Sequence, residues 1–192
     1  SLKGLPGIDA VFYAMKANWH PEILKVFYEQ GLGFECVSRG EVEHVVGTLK
    51  GIDRKRILYT PNFAPRAEYE WAVEQGIWVT LDNLHPLRKW PELFKGRELF
   101  VRIDTGHGRG HHDKVRTAGV HSKFGVPLFE VDELERLAKA ANVKIVGLHA
   151  HTGSGVFTVD NWQIVGDTPT ALTQRFRDVR TVDLGGGLGV PE

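Results

Sequence analysis

The sequence has little sulfur, no surplus of charge and no long apolar run. A single cysteine, Cys36, excludes an internal disulfide and makes a reducing compartment, the cytoplasm, the expected location. The 24 basic and 24 acidic residues balance, so we expect no global attraction to nucleic acid or to acidic membranes. No apolar run approaches the ~20 residues of a membrane-spanning helix, and no signal peptide is visible. These absences favour a globular protein without a nucleic-acid or membrane partner.

What the sequence does contain is a repeated strand-then-helix pattern. Short apolar runs recur along the chain, and each of the first six is followed by a stretch with helical spacing. The runs are apolar throughout rather than alternating, which is typical of parallel strands covered by helices. The predicted strands are residues 10–16, 33–38, 56–60, 77–82, 99–104, 144–151 and 179–187.

This pattern predicts an α/β fold of the (β/α)8 TIM-type barrel class. A doubly wound open sheet would give similar strings, but no glycine fingerprint for phosphate follows the first strand, where that fold usually has one. A complete barrel needs ~250 residues, and the chain has 192. We therefore predict that residues 1–192 form a partial barrel domain, with at least one more βα unit beyond Glu192.

Two stretches depart from the regular pattern. Residues 160–176 have helical spacing but contain Pro169 in the middle. Two short helices, with Thr168 capping the second, would resolve this conflict. Residues 105–127 form an unusually long connection rich in glycine, histidine and basic residues. A long loop at the top of a barrel usually serves a site, so we expect this one to do so.

Polar side chains that are unusual in a core fall where the predicted strands end. Lys16 ends the first strand, Glu35 lies near the end of the second, and Asp104 ends the fifth. His149 and His151 end the sixth. The carboxyl ends of the strands form the active-site face of such barrels, so barrel closure is expected to gather these groups.

Lys16 and the glycine run each allow two interpretations. Lys16 is either a lysine whose ammonium reaches solvent from a strand end, or a nucleophilic amine that reacts with an aldehyde. Gly185, Gly186 and Gly187 follow the seventh strand. They form either a flexible turn or a cradle in which backbone N–H groups bind a phosphate without obstruction by a Cβ.

The segment “HAHTGSG” (149–155) also has two interpretations. His149 and His151 would lie on one face of a strand and could share a metal ion, but no third ligand is evident, so no metal is expected. A flat imidazole followed by the hydroxyl of Ser154 instead suits an aromatic cofactor with a phosphate group. A metal-dependent barrel hydrolase remains the alternative that the histidine pair offers.

Five motifs, in this order and spacing, resemble the fold-type III pyridoxal-phosphate decarboxylases. This family shares its barrel with alanine racemase and includes ornithine, arginine and diaminopimelate decarboxylases. The loop at 102–125 is most similar to diaminopimelate decarboxylases, including those fused to an aspartate kinase. The motifs are “YAMKAN”, “FECVSRGE”, “SKFG”, “HAHTGS” and “DLGGGLG”.

The resemblance implies a pyridoxal 5′-phosphate cofactor and a role for each matching residue. Lys16 would hold the cofactor covalently, and His151 would stack on its ring. Ser154 and the run Gly185–Gly187 would bind the phosphate. Glu35 stands where the family usually has an aspartate near the cofactor. The acidic partner of the ring nitrogen, the substrate-binding cysteine and a β-rich second domain would lie beyond the 192 residues.

The resemblance also implies an activity, namely decarboxylation of meso-2,6-diaminopimelate to L-lysine and CO2 in lysine biosynthesis, by a homodimer. Because part of the site would be missing, we expect the 192 residues alone to be inactive. One alternative is a decarboxylase of another basic amino acid: ornithine, arginine or carboxynorspermidine. Another is a barrel homologue that binds a partner or the cofactor without catalysis.

Overall fold

The structure, a computed structural model, describes residues 4–106 and 123–189, in which strands and helices alternate as the sequence predicts. The strands are β1 (Phe12–Ala14), β2 (Gly33–Cys36), β3 (Ile57–Tyr59), β4 (Trp78–Leu81), β5 (Glu98–Asp104), β6 (Val126–Pro127), β7 (Lys144–His149) and β8 (Thr181–Asp183). The helices are α1 (Pro21–Glu29), α2 (Arg39–Thr48), α3 (Arg66–Glu74), α4 (His85–Lys89), α5 (Val131–Ala140) and α6 (Val159–Thr173).

The strands pair in parallel in the order β1-β2-β3-β4-β5-β7-β8, and β6 pairs with β5 beside this path. Strands that are consecutive along this path are neighbours in the sheet and are connected through helices, which is the succession expected of a β/α barrel. The chain divides into two compact units, one up to residue 79 and one from residue 80.

Helix α1 shows how the first unit makes its short connections. Pro21 occupies the first turn, where its missing N–H costs no hydrogen bond, and His20 caps the helix by accepting the N–H of Glu22 at 3.3 Å. Leu24 is fully buried, while Gly31, with φ of 80°, stops the helix. The chain then enters β2 parallel to β1.

The strands and the inner helix faces supply the apolar core of each unit. Burying one large apolar side chain, such as leucine or phenylalanine, stabilises the fold by roughly 1.5–3 kcal/mol relative to leaving it exposed. In the first unit the largest fully buried side chains are Tyr59, Tyr69, Phe34, Leu24 and Ile57. In the second they are Phe94, Leu81, Leu84, Leu87, Leu99, Ile103 and Leu134.

Helix α6 corrects the prediction of two short helices. It is one continuous helix with Pro169 inside it, so Thr168 is not the cap of a second helix. Pro169 and Val165 are both buried, and a Cβ built on Gly166 would lie 3.7 Å from Leu184, just after β8. Packing of the helix face that carries Val165, Gly166 and Pro169 thus compensates for the free energy that is lost with the backbone hydrogen bond at the proline.

Strand β6 was not predicted either. It follows Gly125, whose φ is 83° and where a Cβ would lie 2.7 Å from the backbone nitrogen of Asp104. This close approach brings Val126 beside β5. Of the long connection predicted at 105–127, residues 107–122 lie outside the described residues. No helix among the described residues has the length and apolar character needed to cross a membrane.

Candidate functional site

Lys16 lies just past the end of β1, in a short 3₁₀ turn (Met15–Ala17), rather than in the strand as predicted. Met15 is buried, whereas the Lys16 side chain is 57% exposed. Its Nζ lies 3.9 Å from Oε2 of Glu35 on β2. Because the lysine is this exposed, the pair stabilises the fold by less than about 1 kcal/mol, and Glu35 gives the amine a preferred position without burying it.

Glu35 itself is held firmly. Its side chain is 15% exposed and its Oε1 accepts a hydrogen bond from the hydroxyl of Thr60, just beyond β3. Because β1, β2 and β3 are neighbours, three successive strand ends contribute Lys16, Glu35 and Thr60. In the first unit the structure therefore brings the two predicted residues together and adds a threonine that sequence reasoning did not single out.

Ser38 and Glu41, in contrast, have a local structural role at the start of α2. The Ser38 hydroxyl accepts the N–H of Glu41 at 3.3 Å, and the Glu41 carboxylate accepts the N–H of Val37 at 2.7 Å. This is close to the reciprocal capping box of helix N-termini. Burial and the neighbouring Glu35 raise the pKa of Glu41 more than the Val37 N–H and Lys16 lower it.

In the second unit, four ionisable side chains lie at one level across four neighbouring strands. Arg102 on β5 is opposite His149 on β7, and His149 is opposite Asp183 on β8. Extending the β4–β5 register by one residue places Asp82 opposite Arg102. We call Asp82, Arg102, His149 and Asp183 the charged row. Since residues in register point to the same face of a sheet, the row forms one polar surface.

The first half of the charged row is a buried ion pair. Arg102 Nη1 donates to Asp82 Oδ1 at 3.3 Å, and the two side chains are 11% and 2% exposed. The guanidinium also lies 4.9 Å from the centre of the Phe124 ring. Burial raises the pKa of Asp82, and Arg102, the Gly125 N–H and His149 offset this effect only in part.

The second half of the charged row pairs a histidine with an aspartate. His149 Nδ1 lies 2.7 Å from Asp183 Oδ2, while Asp183 Oδ1 accepts the N–H of Gly185 at 2.8 Å. Burial alone would raise the pKa of Asp183, but His149, the Gly185 N–H and His151 outweigh it and lower that pKa. Asp183 therefore remains a carboxylate at neutral pH.

The glycine run after β8 is tied to the loop that carries Ser154. The N–H of Val156 donates to the carbonyl of Gly187 at 2.8 Å, and the N–H of Gly189 donates back to Val156 at 3.0 Å. A Cβ on Gly187, whose φ is 95°, would collide with the carbonyl oxygen of Gly153. Only glycine permits this approach, so the two loops form one structure.

His151 lies beside the start of the same glycine run. A Cβ on Gly185, whose φ is 68°, would lie 2.8 Å from His151 Nδ1, so this position also requires glycine. A Cβ on Gly187 would lie 3.4 Å from Ser154 Cα. Gly186 faces open space. The structure therefore groups the five residues of the second unit that the family resemblance assigns to the cofactor: His151, Ser154 and the three glycines.

The residues of each unit fit one functional group of pyridoxal phosphate. A lysine at a strand end, with a carboxylate 3.9 Å from its Nζ, suits an aldehyde. The turn after β8, in which the space around Gly186 is open, suits a phosphate that binds backbone N–H groups. The Gly185 N–H is already used by Asp183, so Gly185 contributes shape, and Gly186 and Gly187 are the better donors.

Among the described residues, no third ligand is placed to complete a metal site with His149 and His151. Within the two described stretches of chain, no group of three histidine, cysteine, aspartate or glutamate side chains has the geometry of a metal site. His149 instead directs its Nδ1 at Asp183.

Sequence reasoning missed Asp82, Arg102, Asp183 and Thr60. Asp82 and Asp183 have a signal in the sequence, because each is a polar group at or just after the end of an apolar strand, whereas Arg102 lies inside β5. What the sequence does not show is the strand register that places them at one level.

Comparisons with known proteins show the family of this chain. Residues 3–192 match the family model of the pyridoxal-dependent decarboxylases, in their pyridoxal-binding domain. The diaminopimelate decarboxylase of Methanothermobacter thermautotrophicus is 34% identical over 187 residues, covering 94% of this chain and 43% of the relative. The ornithine decarboxylase of Neurospora crassa is 30% identical over 191 residues, covering 92% of this chain and 36% of the relative.

The fold is also found among solved structures. The crystal structure of the Helicobacter pylori diaminopimelate decarboxylase complexed with L-lysine matches with a TM-score of 0.83 and 27% identity, over 97% of this chain and 50% of that one. This likeness and the order of parallel strands confirm the predicted fold, an incomplete (β/α)8 barrel of the alanine racemase-like type. The chain spans about half the length of this structure, and less than half of the curated relatives above.

Proposed function

Because the chain belongs to the pyridoxal-dependent decarboxylases, as their pyridoxal-binding domain, we propose that the whole protein decarboxylates meso-2,6-diaminopimelate to L-lysine and CO2. Its cofactor is pyridoxal 5′-phosphate. The observation that supports this substrate is the 34% identity to a diaminopimelate decarboxylase over 94% of this chain.

Each residue has a separate task in this proposal. Pyridoxal phosphate, when bound, supplies the electron sink for the substrate carbon that loses its carboxylate. Lys16 holds the cofactor through its amine, and Glu35, fixed by Thr60, orients that amine by its charge. The low exposure of Glu35 keeps this charge effective, because little water screens it.

The second unit binds and orients in the same proposal. The backbone N–H groups of Gly186 and Gly187, with the hydroxyl of Ser154, bind the phosphate. The imidazole of His151 would stack on one face of the cofactor ring and limit the positions that the ring can adopt. The position of His151 beside Gly185 supports this role, because the residue that contacts the ring then lies next to the glycine run that binds the phosphate.

The substrate is tested with the full-length protein and a panel of amino acids. We expect release of CO2 from meso-diaminopimelate with a kcat/KM at least about 100-fold above that for ornithine, arginine, lysine or carboxynorspermidine. A difference of this size corresponds to about 2.7 kcal/mol of transition-state discrimination. A higher kcat/KM for any other member of the panel would refute the proposed substrate.

The second candidate is an ornithine decarboxylase, which the 30% identity to the Neurospora crassa enzyme favours. The same panel separates the two, because ornithine then gives the higher kcat/KM. A non-catalytic homologue would bind the cofactor without releasing CO2 from any substrate.

We also propose that the full-length protein works as a homodimer in the cytoplasm, as the family resemblance implies. Light scattering of the purified holoprotein checks the assembly, and a mass equal to one chain would contradict it.

A further inference from the structure

Asp183 connects two parts of the second unit that are far apart in sequence. One carboxylate oxygen lies 2.7 Å from His149 Nδ1 at the end of β7, and the other accepts the N–H of Gly185 at 2.8 Å. The backbone adds a third link, because the carbonyl of Asp183 accepts the N–H of Ala150 at 2.8 Å. One residue therefore fixes the end of β7 relative to the glycine run.

The hydrogen-bonding capacity of the Asp183 carboxylate determines which nitrogen of His149 carries a proton. An ionised carboxylate only accepts hydrogen bonds, so His149 must carry a proton on Nδ1. In the neutral ring this leaves Nε2 without a proton, as an acceptor. The lowered pKa of Asp183 agrees with this geometry, because the carboxylate stays charged between its two donors.

The surroundings argue against a role limited to a surface ion pair. The His149 and Asp183 side chains are 10% and 28% exposed, so solvent screens their interaction less than it would a surface pair. His151 is close enough to Asp183 to lower its pKa. Gly185 packs so closely on His151 that a Cβ would lie 2.8 Å from the ring nitrogen.

We propose that Asp183 is a positioning residue for cofactor binding, which sets the tautomer of His149 and the shape of the turn at Gly185. The inference rests on the phosphate-binding role given to the glycine run under Proposed function. Asp183 itself is not assigned a contact with the cofactor or the substrate.

Two substitutions separate the two effects. In Asp183→Asn, the amide oxygen can still accept the Gly185 N–H, but the amide nitrogen donates to His149 Nδ1 and forces the ring proton onto Nε2. Asp183→Ala removes both contacts. The matched controls are Asp178→Asn and Asp178→Ala, which make the same changes at an exposed aspartate five residues earlier.

The measurements are made on the full-length holoprotein. Nitrogen-15 NMR of the histidine rings reports the tautomer, with the His149 signals assigned by their loss in His149→Gln. Fluorescence titration of the apoprotein with pyridoxal 5′-phosphate gives the Kd. Neither measurement depends on decarboxylation, so a protein that shows the expected signals but releases no CO2 would count against the proposed function alone.

We expect a proton on Nδ1 of His149 in the wild type and on Nε2 of His149 in Asp183→Asn. The Kd of Asp183→Asn for pyridoxal 5′-phosphate should differ from that of the wild type by less than about threefold. Loss of a charge-assisted hydrogen bond in Asp183→Ala should weaken cofactor binding about tenfold or more, and both Asp178 variants should match the wild type. An unchanged tautomer in Asp183→Asn would overturn the inference. So would wild-type or tighter binding in Asp183→Ala, in which the Gly185 N–H is free. If Asp183→Ala does not fold, the tautomer of His149 in Asp183→Asn is the deciding measurement for the inference.

Discussion

At the scale of single residues, two carboxyl groups in the charged row have their pKa values shifted in opposite directions. Asp82 is the more deeply buried, and its desolvation outweighs Arg102, the Gly125 N–H and His149, so its pKa is raised. Asp183 is also desolvated, but two histidines and a backbone N–H act on it, so its pKa is lowered. Three neighbouring groups lower each pKa, so the balance between them and desolvation sets the direction of each shift.

The lowered pKa of Asp183 predicts how stability changes with pH. The unfolded carboxyl has an ordinary pKa of 3.8, and the folded one lies below it, so the folded state favours the charged form. Asp183 therefore contributes stability above about pH 4, which is lost as the pH falls through the folded pKa. We expect Asp183→Asn to be less stable than the wild type at pH 7, with a smaller difference at pH 3.

Urea unfolding of the wild type and Asp183→Asn at both pH values measures this effect. Asp178→Asn serves as the control and should show no such dependence, because Asp178 is exposed. A destabilisation by Asp183→Asn that is equal at pH 7 and pH 3 would show that the charge of Asp183 is not what stabilises the fold.

Residue-level prediction from sequence relied on position along a strand, and the roles that it gave to Lys16 and His151 stay predictions. Lys16 and His151 could be selected because each lies next to a strand end, where polar groups are unexpected. Arg102 lies inside β5 and has no such signal. Asp183 ends β8, but its importance comes from His149 on the neighbouring strand and from the Gly185 N–H, which the sequence does not show. The two-residue period of a strand tells which face a side chain occupies, but only the register tells which side chain is opposite.

At the scale of secondary structure, local signals predicted the helices within a few residues. In the sequence, residues 21–31, 67–76 and 130–142 have helical spacing, and α1, α3 and α5 begin and end within two residues of those bounds. Six of the seven predicted strands were too long, because the sequence pattern does not show where the ladder hydrogen bonds end; β5 is one residue longer than predicted. Helix α6 was predicted wrongly, since tertiary packing outweighed the local effect of a proline.

Substitutions in α6 test that explanation. In a continuous helix, Pro169→Ala restores the missing backbone hydrogen bond, and we expect stabilisation of about 1 kcal/mol or more after the loss of buried proline surface. Thr168→Ala should be neutral or slightly stabilising, since alanine is the better helix former. Thermal or urea unfolding of the full-length protein measures both.

If residues 160–176 formed two short helices, both substitutions would change the stability in the opposite direction. If Thr168 capped a second helix, Thr168→Ala would cost about 1 kcal/mol and Pro169 would be well placed at its first turn. Destabilisation by both substitutions would therefore count against the continuous helix.

At the scale of the whole molecule, the pattern of strands and helices specified the barrel class, because few folds repeat βα units in this way. The chain covers 43% of its relative from Methanothermobacter thermautotrophicus. The remaining part of such a protein is where the family resemblance expects the partner of the cofactor's ring nitrogen. Without that group the cofactor is a weaker electron sink.

This expectation gives a test of completeness. We predict that the 192 residues expressed alone release CO2 from meso-diaminopimelate at least about 1,000-fold more slowly than the full-length protein, because a catalytic site without several of its members loses most of its rate. Assay of both proteins at equal concentration, with added pyridoxal 5′-phosphate, measures the ratio. Comparable rates would mean that the site is complete within these residues.

The identity of the lysine that holds the cofactor is the most direct test of the whole account. Borohydride treatment of the full-length holoprotein makes a bond between lysine and pyridoxal permanent, and trypsin does not cut after a modified lysine. We predict a pyridoxyl-labelled tryptic peptide that spans residues 4–25, in which Lys16 is uncut, and its loss in Lys16→Ala. A label on any other lysine, with residues 4–16 released as an unmodified peptide, would contradict the account.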